Sequence, residues 1–119
     1  MARTALSVIT TAASGVLLTA ATGVDAGNGN EFSNTNRELI EITNAAASAI
    51  TATIITNGTY SVGNTAYAIA DLSVVIAAGT TRGAGPFDRT LFNSATNTVQ
   101  IDWSSGTSIT ARVISLGTS

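Results

Sequence analysis

The sequence predicts an all-β chain, an antiparallel β-sandwich or jelly-roll-like barrel of about eight strands. Three observations carry that expectation. Apolar and polar residues alternate through much of the chain, as in Ile40-Glu41-Ile42 and Val99-Gln100-Ile101-Asp102-Trp103, and a period of two marks a strand with one buried face. Residues with a branched Cβ, which suit a pleated surface, are abundant, with 20 threonines alone. Clusters of Gly, Asn and Asp recur at short intervals, and the one proline, Pro86, sits between Gly85 and Phe87, so the breaks fall between strands.

Taken in order, residues 6–11 read as a first strand, Ser14-Gly15 as a turn and residues 16–18 as a short strand. The same stretch imitates a secretory leader, with Arg3 ahead of an apolar middle, but Thr10-Thr11 and Ser14-Gly15 interrupt that middle. Residues 25–36 read as a loop, because Gly27, Asn28, Gly29 and Asn30 tolerate positive φ. Residues 37–44 form a half-buried strand, with Ile40 and Ile42 on one face and Leu39, Glu41 and Thr43 on the other. Ala45, Ala46 and Ala47 are too few to nucleate a helix and read as a turn.

Residues 50–57, with Ile50, Ala52 and Ile54 inward, lead to Asn57-Gly58, the strongest local hairpin signal, from which residues 60–70 would return. Leu72, Val74 and Ile76 line one face of the next strand, which stops at Ala78-Gly79. Pro86 keeps residues 80–93 out of the centre of a sheet, so they are expected to cross the surface with Phe87 and Phe92 as anchors. Val99, Ile101 and Trp103, then Ile109, Ala111 and Val113, look like a closing hairpin around a turn at 104–106. The expected core is Leu6, Val8, Leu39, Ile40, Ile42, Ile54, Val74, Ile76, Phe87, Phe92, Ile101, Trp103, Ile109 and Val113. A chain of 119 residues has room for one modest core. Residues 1–22 are expected to serve as an N-terminal strand or arm on a single sandwich domain, residues 23–119.

Composition narrows function. The chain has no Lys, no His and no Cys, which excludes Ser-His-Asp and Cys-His pairs, Schiff-base or Walker lysines, and zinc sites built on thiolate or imidazole. Five arginines, at 3, 37, 82, 89 and 112, face seven carboxylates for a net charge of -2. That scattered pattern is unlike the clustered basic stripe a nucleic-acid binder needs. No apolar run approaches the roughly 20 residues of a membrane span.

Specific motifs are weak. Asp25, Asn28, Asn30 and Glu31 offer the oxygens a calcium ion takes, but Asp25 and Asn28 are three apart where an EF-hand loop needs two. Glu38 and Glu41 fall on opposite faces of a strand, and Asp71, Asp88 and Asp102 lack the aromatic surroundings of a sugar-cleaving pair. Gly83-Ala84-Gly85 runs into Pro86 and not into the helix start that phosphate binding requires. Asn57-Gly58-Thr59 fits a glycosylation sequon. Arg37 and Arg82 suit fixed, bidentate contacts with carboxylates. Little charge, with abundant Thr, Ser, Asn and Ala, as in the alternating Thr51 and Thr53, suits surfaces that other chains cover.

Three stretches carry a resemblance: residues 32–44 (Phe-Ser-Asn-Thr-Asn-Arg-Glu-Leu-Ile-Glu-Ile-Thr-Asn), residues 50–54, and Ala78-Gly79-Thr80-Thr81-Arg82 running into Gly85-Pro86-Phe87 and Phe92-Asn93. They resemble small virion proteins of tailed bacteriophages, of the head decoration or capsid cement type, over about residues 30–115. The most specific pieces are the Asn-x-x-Arg-Glu start at Asn34 and the Ala-Gly-x-x-Arg-x-x-Gly-Pro-Phe stretch from Ala78. The resemblance implies a structural protein, not an enzyme, with no cofactor and no metal. It would sit on the outer surface of the virion capsid, bind the major capsid protein, cement neighbouring subunits and self-associate, as a trimer near local threefold axes. Arg37, Glu38, Arg82, Pro86, Phe87 and Trp103 are then the structural or interface candidates. Neck, collar and fibre-base virion proteins share such small sandwiches, and a secreted adhesin or pilus-type subunit shares the Ala/Thr richness. A carbohydrate-binding module would instead rest on Tyr60 or Tyr67.

Overall fold

A computed structural model describes residues 3–18 and 20–116. In chain order its elements are β1 (Thr4–Ala5), β2 (Val8–Thr10), β3 (Thr22–Gly23), β4 (Asn30–Ser33), β5 (Glu38–Asn44), β6 (Ile50–Ile54), β7 (Thr59–Val62), β8 (Thr65–Ala68), β9 (Leu72–Ile76), β10 (Thr81–Ala84), the helical turn α1 (Arg89–Phe92), β11 (Thr98–Trp103) and β12 (Ile109–Ser115). One sheet runs β1-β4-β11-β6-β9 and the other β10-β5-β12-β2, with β3 also on β12. The two pack as a sandwich-like all-β fold that does not close into a barrel. Both sheets are mixed, because β1 joins β4 and β2 joins β12 in parallel while the remaining pairs are antiparallel.

The alternation read from the sequence is what separates the faces. Along β5 and β12 every other residue is buried, so Ile40, Ile42, Ile109, Ala111 and Val113 face inward from one sheet. Ile50, Ala52, Ile54, Val99, Ile101 and Trp103 face them from the other. Each such aliphatic side chain removed from water stabilises the fold by about 1.5–3 kcal/mol. Phe87 plugs the core from outside the regular strands: its ring lies 5.9 Å from Phe32 and 5.4 Å, edge-on, from Phe92. The N-terminal segment closes the sandwich from the side. β1 extends one sheet, β2 the other, and Leu6 between them is buried in the core.

Several expectations are corrected. The strands are shorter and more numerous than eight. The expected strand 6–11 shortens to β2, with β1 ahead of it and Leu6 between the two, residues 16–18 form no strand, and the expected 25–36 loop contains β4, held by four pairings to β11. Asn57-Gly58 is not the hairpin turn, which lies at Gly63-Asn64 between β7 and β8. Gly58 instead donates its N–H to Leu91 O at 2.8 Å, and a Cβ there would stand 2.3 Å from Thr90 O, so close backbone approach explains the glycine. β11 and β12 do not pair with each other but lie in opposite sheets, joined by an arch at 104–108. The 80–93 crossing includes an edge strand, β10, and the one-turn α1. Leu39 faces outward, half-buried, while Phe32, absent from the expected core, is fully buried.

Candidate functional site

Three connections meet beside Phe87: residues 34–37 ahead of β5, residues 85–93 around α1, and residues 93–97 ahead of β11. Short amides lock them together. Buried Asn34 donates from Nδ2 to Phe87 O (3.0 Å) and to Asn93 Oδ1 (2.7 Å). Asn36 accepts on Oδ1 from the Arg89 N–H (2.7 Å), and Asp88 caps α1 by accepting from the Thr90 N–H (2.8 Å). Asn36 and Asn97 take φ of 71° and 63°, a left-handed geometry that asparagine adopts more readily than most residues. The Gly85-Pro86 bond is cis, and Gly85 has φ 125° with Glu38 O 2.7 Å from where its Cβ would be. Between these loops lies an open cleft of about 350 Å³ lined by Asn36, Asp88, Arg89, Thr90, Asn93 and Asn97. Its walls offer amide donors and acceptors, one carboxylate and one guanidinium, a lining that suits a hydrogen-bonding partner such as a peptide segment.

Glu38 is the buried carboxylate of this region, only 3 % exposed. Burial pushes its pKa up, but hydrogen bonds from the Thr35 N–H and hydroxyl, the Ser115 hydroxyl and the Arg37 N–H outweigh it and hold the carboxyl below its ordinary range. It therefore tethers the 34–37 turn to the start of β5 and to the end of β12.

The six sequence candidates do not gather into one site. Arg37 is exposed, and its carbonyl accepts from the Leu116 N–H at 3.1 Å. Glu38, Pro86 and Phe87 belong to the locked loops, Pro86 exposed and Phe87 buried. Arg82 lies on the edge strand β10, opposite inward-facing Ile42. Its guanidinium reaches across the open side of the sandwich and donates to Val75 O on β9 at 2.6 Å, and an inward-directed charge on an edge strand also discourages unwanted sheet extension. Trp103 is buried and donates from Nε1 to Asn30 Oδ1 at 2.9 Å. Asn34, Asn36, Asn93 and Asn97 were missed as individuals. The Asn-x-x-Arg-Glu pattern at Asn34 was the signal that could have found the first two.

Nor do the four oxygen donors near Asp25 converge. Asn30 turns into the core toward Trp103, and Glu31 sits on the outer face of β4, bonded by Thr98. Asp25 accepts from the Thr4 hydroxyl and from Gly27 and Asn28, and those bonds, Thr4 foremost, hold its carboxyl below the usual range. Among the described residues no group of three or more His, Cys, Asp or Glu side chains is placed to hold a metal, and no helix is long and apolar enough to cross a membrane.

Two other surfaces stand out. The outer face of the first sheet carries Ser33, Thr51, Thr53, Ser73, Thr98 and Gln100 over four adjacent strands, with Glu31, Asp102 and the exposed Val75 among them. Apolar side chains are exposed at Val16, Leu17 and Leu18 between β2 and β3, at Val62 and Tyr67 on the β7–β8 hairpin, at Leu72 and Val75 on β9, and at Leu116. No family model, no curated protein and no solved structure matches the chain.

Proposed function

We propose that the protein is a structural virion subunit that binds the outside of an assembled phage capsid and cements neighbouring major capsid subunits. The observation that carries this reading is the outer face of the first sheet, where hydroxyl and amide side chains predominate over four strands, with Val75, Glu31 and Asp102 among them. Such side chains lose little rotamer entropy when covered, and they leave few charges to desolvate. The two carboxylates within it are already engaged, since Asp102 pairs with Arg3 at 2.8 Å and Glu31 accepts from Thr98. The resemblance in residues 30–115 supplies the identity of the shell. A ligand that binds only the mature shell stabilises that shell by mass action, so no chemical step is required of the protein.

The test is co-sedimentation of the full chain with expanded empty capsids of the source phage, followed by cryo-EM of the decorated particles. The expected result is saturable binding with density on the outer surface, abolished by Thr51→Lys with Thr53→Lys. Absence of binding, or binding indifferent to the lysines, overturns the reading.

A further inference from the structure

We propose that Arg82 is a latch that keeps the edge of β9 from pairing with β9 of a second copy of this chain, a property of the fold that does not depend on the capsid reading. β9 ends the first sheet, beside β6. In an antiparallel pair each residue turns both of its main-chain groups either toward the partner strand or away from it. Thr51 on β6 turns its own toward β11, since its N–H donates to Ser104 Oγ at 2.9 Å and its carbonyl accepts from the Ser104 N–H at 3.0 Å. Val75, in register with Thr51, therefore turns its N–H and C=O away from β6. Ser73, two residues earlier, does the same. These groups form the open rim of the first sheet.

Of the four strands that end the two sheets, β9 is the one without the usual protection. β1 and β2 are two and three residues long, and β10 carries Arg82 and runs into Gly85-Pro86. β9 has five residues, none of them charged and none proline, with Leu72 and Val75 exposed by 45 % and 50 %. A strand of that composition at a sheet edge is a template for another strand. What meets the rim is one side chain from the opposite sheet. Arg82 donates from Nη1 to Val75 O at 2.6 Å, and among the described residues it is the one partner of the rim groups of Ser73 and Val75.

Geometry selects the second copy. Turned over on a twofold axis through Val74, β9 sets Ser73 opposite Val75 of the other chain, and this pair and its symmetry mate exchange reciprocal main-chain hydrogen bonds. The Val75 carbonyl must accept one bond in each exchange. Arg82 already occupies that acceptor, and pairing would bring two guanidiniums of like charge to one seam. The latch thus acts twice, by filling the acceptor and by placing charge beside it.

Amide hydrogen exchange and sedimentation equilibrium of the full chain at tens of micromolar test this together. In the wild type the Ser73 and Val75 amides are expected to exchange as open main chain. Arg82→Met, which keeps the length of the side chain but cannot donate, and Arg82→Ala should each double the wild-type mass and slow exchange at Ser73 and Val75 by about tenfold or more. Adding Val75→Lys to either should restore the wild-type mass, because a charge then stands on the seam itself. Thr81→Ala, beside Arg82 on β10, should change neither readout. Protection of Ser73 and Val75 in the wild type, Arg82 variants of wild-type mass, doubling without protection of these two amides, doubling with Thr81→Ala, or doubling that survives Val75→Lys overturns the proposal.

Discussion

The 34–38 turn and the 11–21 connection are both excursions between strands, yet they are built in opposite ways. The first is tied by side chains: Asn34, Asn36 and Glu38 each bond main-chain groups of the turn or of the loop around Phe87. The second is anchored by main chain at its two ends, with Thr11 N–H on Ser115 O at 2.8 Å and Thr22 in register with Ala111, and it presents leucine to solvent between them. Buried polar groups that are fully bonded fix one geometry. Exposed apolar groups are most stable when something else covers them. The contrast teaches that two excursions from one sandwich can be built oppositely, one locked by bonded polar side chains and one held only at its ends.

The largest expected effect is at the anchor of the tied region. Phe87→Ala should lower unfolding free energy in urea by about 3–5 kcal/mol, since the ring links Phe32 to Phe92 and leaves a cavity between the sheets. A loss under about 1 kcal/mol would mean that the loop is held by its amides alone.

Glu38→Gln comes next, at about 1–3 kcal/mol near neutral pH, because it weakens the charge-assisted bonds that Thr35, Arg37 and Ser115 donate to this buried carboxylate. The pH dependence has a definite sign. A carboxyl held below its ordinary value stabilises the fold above that value, which is 4.5 for Glu, and the contribution disappears as pH falls through the lower folded value. Chemical denaturation of the wild type should therefore show stability falling below about pH 4.5, and Glu38→Gln should flatten that limb.

Gly58→Ala should cost about 1–3 kcal/mol through its clash with Thr90 O, readable as a lowered thermal midpoint. The smallest effect is expected on the untied side. Val62→Asp, on a hairpin whose described side chains are all exposed, should change stability by less than about 0.5 kcal/mol. A large loss there would erase the contrast between the two kinds of excursion.

The all-β class and the inward faces of β5, β6, β11 and β12 were legible because alternation is a local property, visible in Ile40-Glu41-Ile42 as readily as in the folded strand. Partner choice was not. Val99 to Trp103 and Ile109 to Val113 alternate just as a hairpin would, and only the burial of both against the opposite sheet distinguishes an arch from a hairpin. Asn57-Gly58 misled for a related reason: the missing Cβ serves approach to Leu91, a residue distant in sequence, and not a local turn. Phe32 and Leu39 traded places because β4 was hidden in a run of Gly and Asn whose pairing with β11 decides its conformation. Of the locked loops, the Asn-x-x-Arg-Glu and Gly-Pro-Phe pieces were noticed, but their contact spans 53 residues between Asn34 and Phe87, and no local pattern reports that.

The parallel docking of β2 on β12 has a consequence for how the molecule is made. Val8 to Thr10 precede their partners, Val113 to Ser115, by 105 residues of chain. β12 is also the strand against which β5 and β3 pair. During synthesis, then, the second sheet lacks its central member until β12 has emerged, and the apolar faces of β5 and β6 wait uncovered. Contacts of such long sequence separation make folding slow, which places the period of greatest aggregation risk before β12 slides into place.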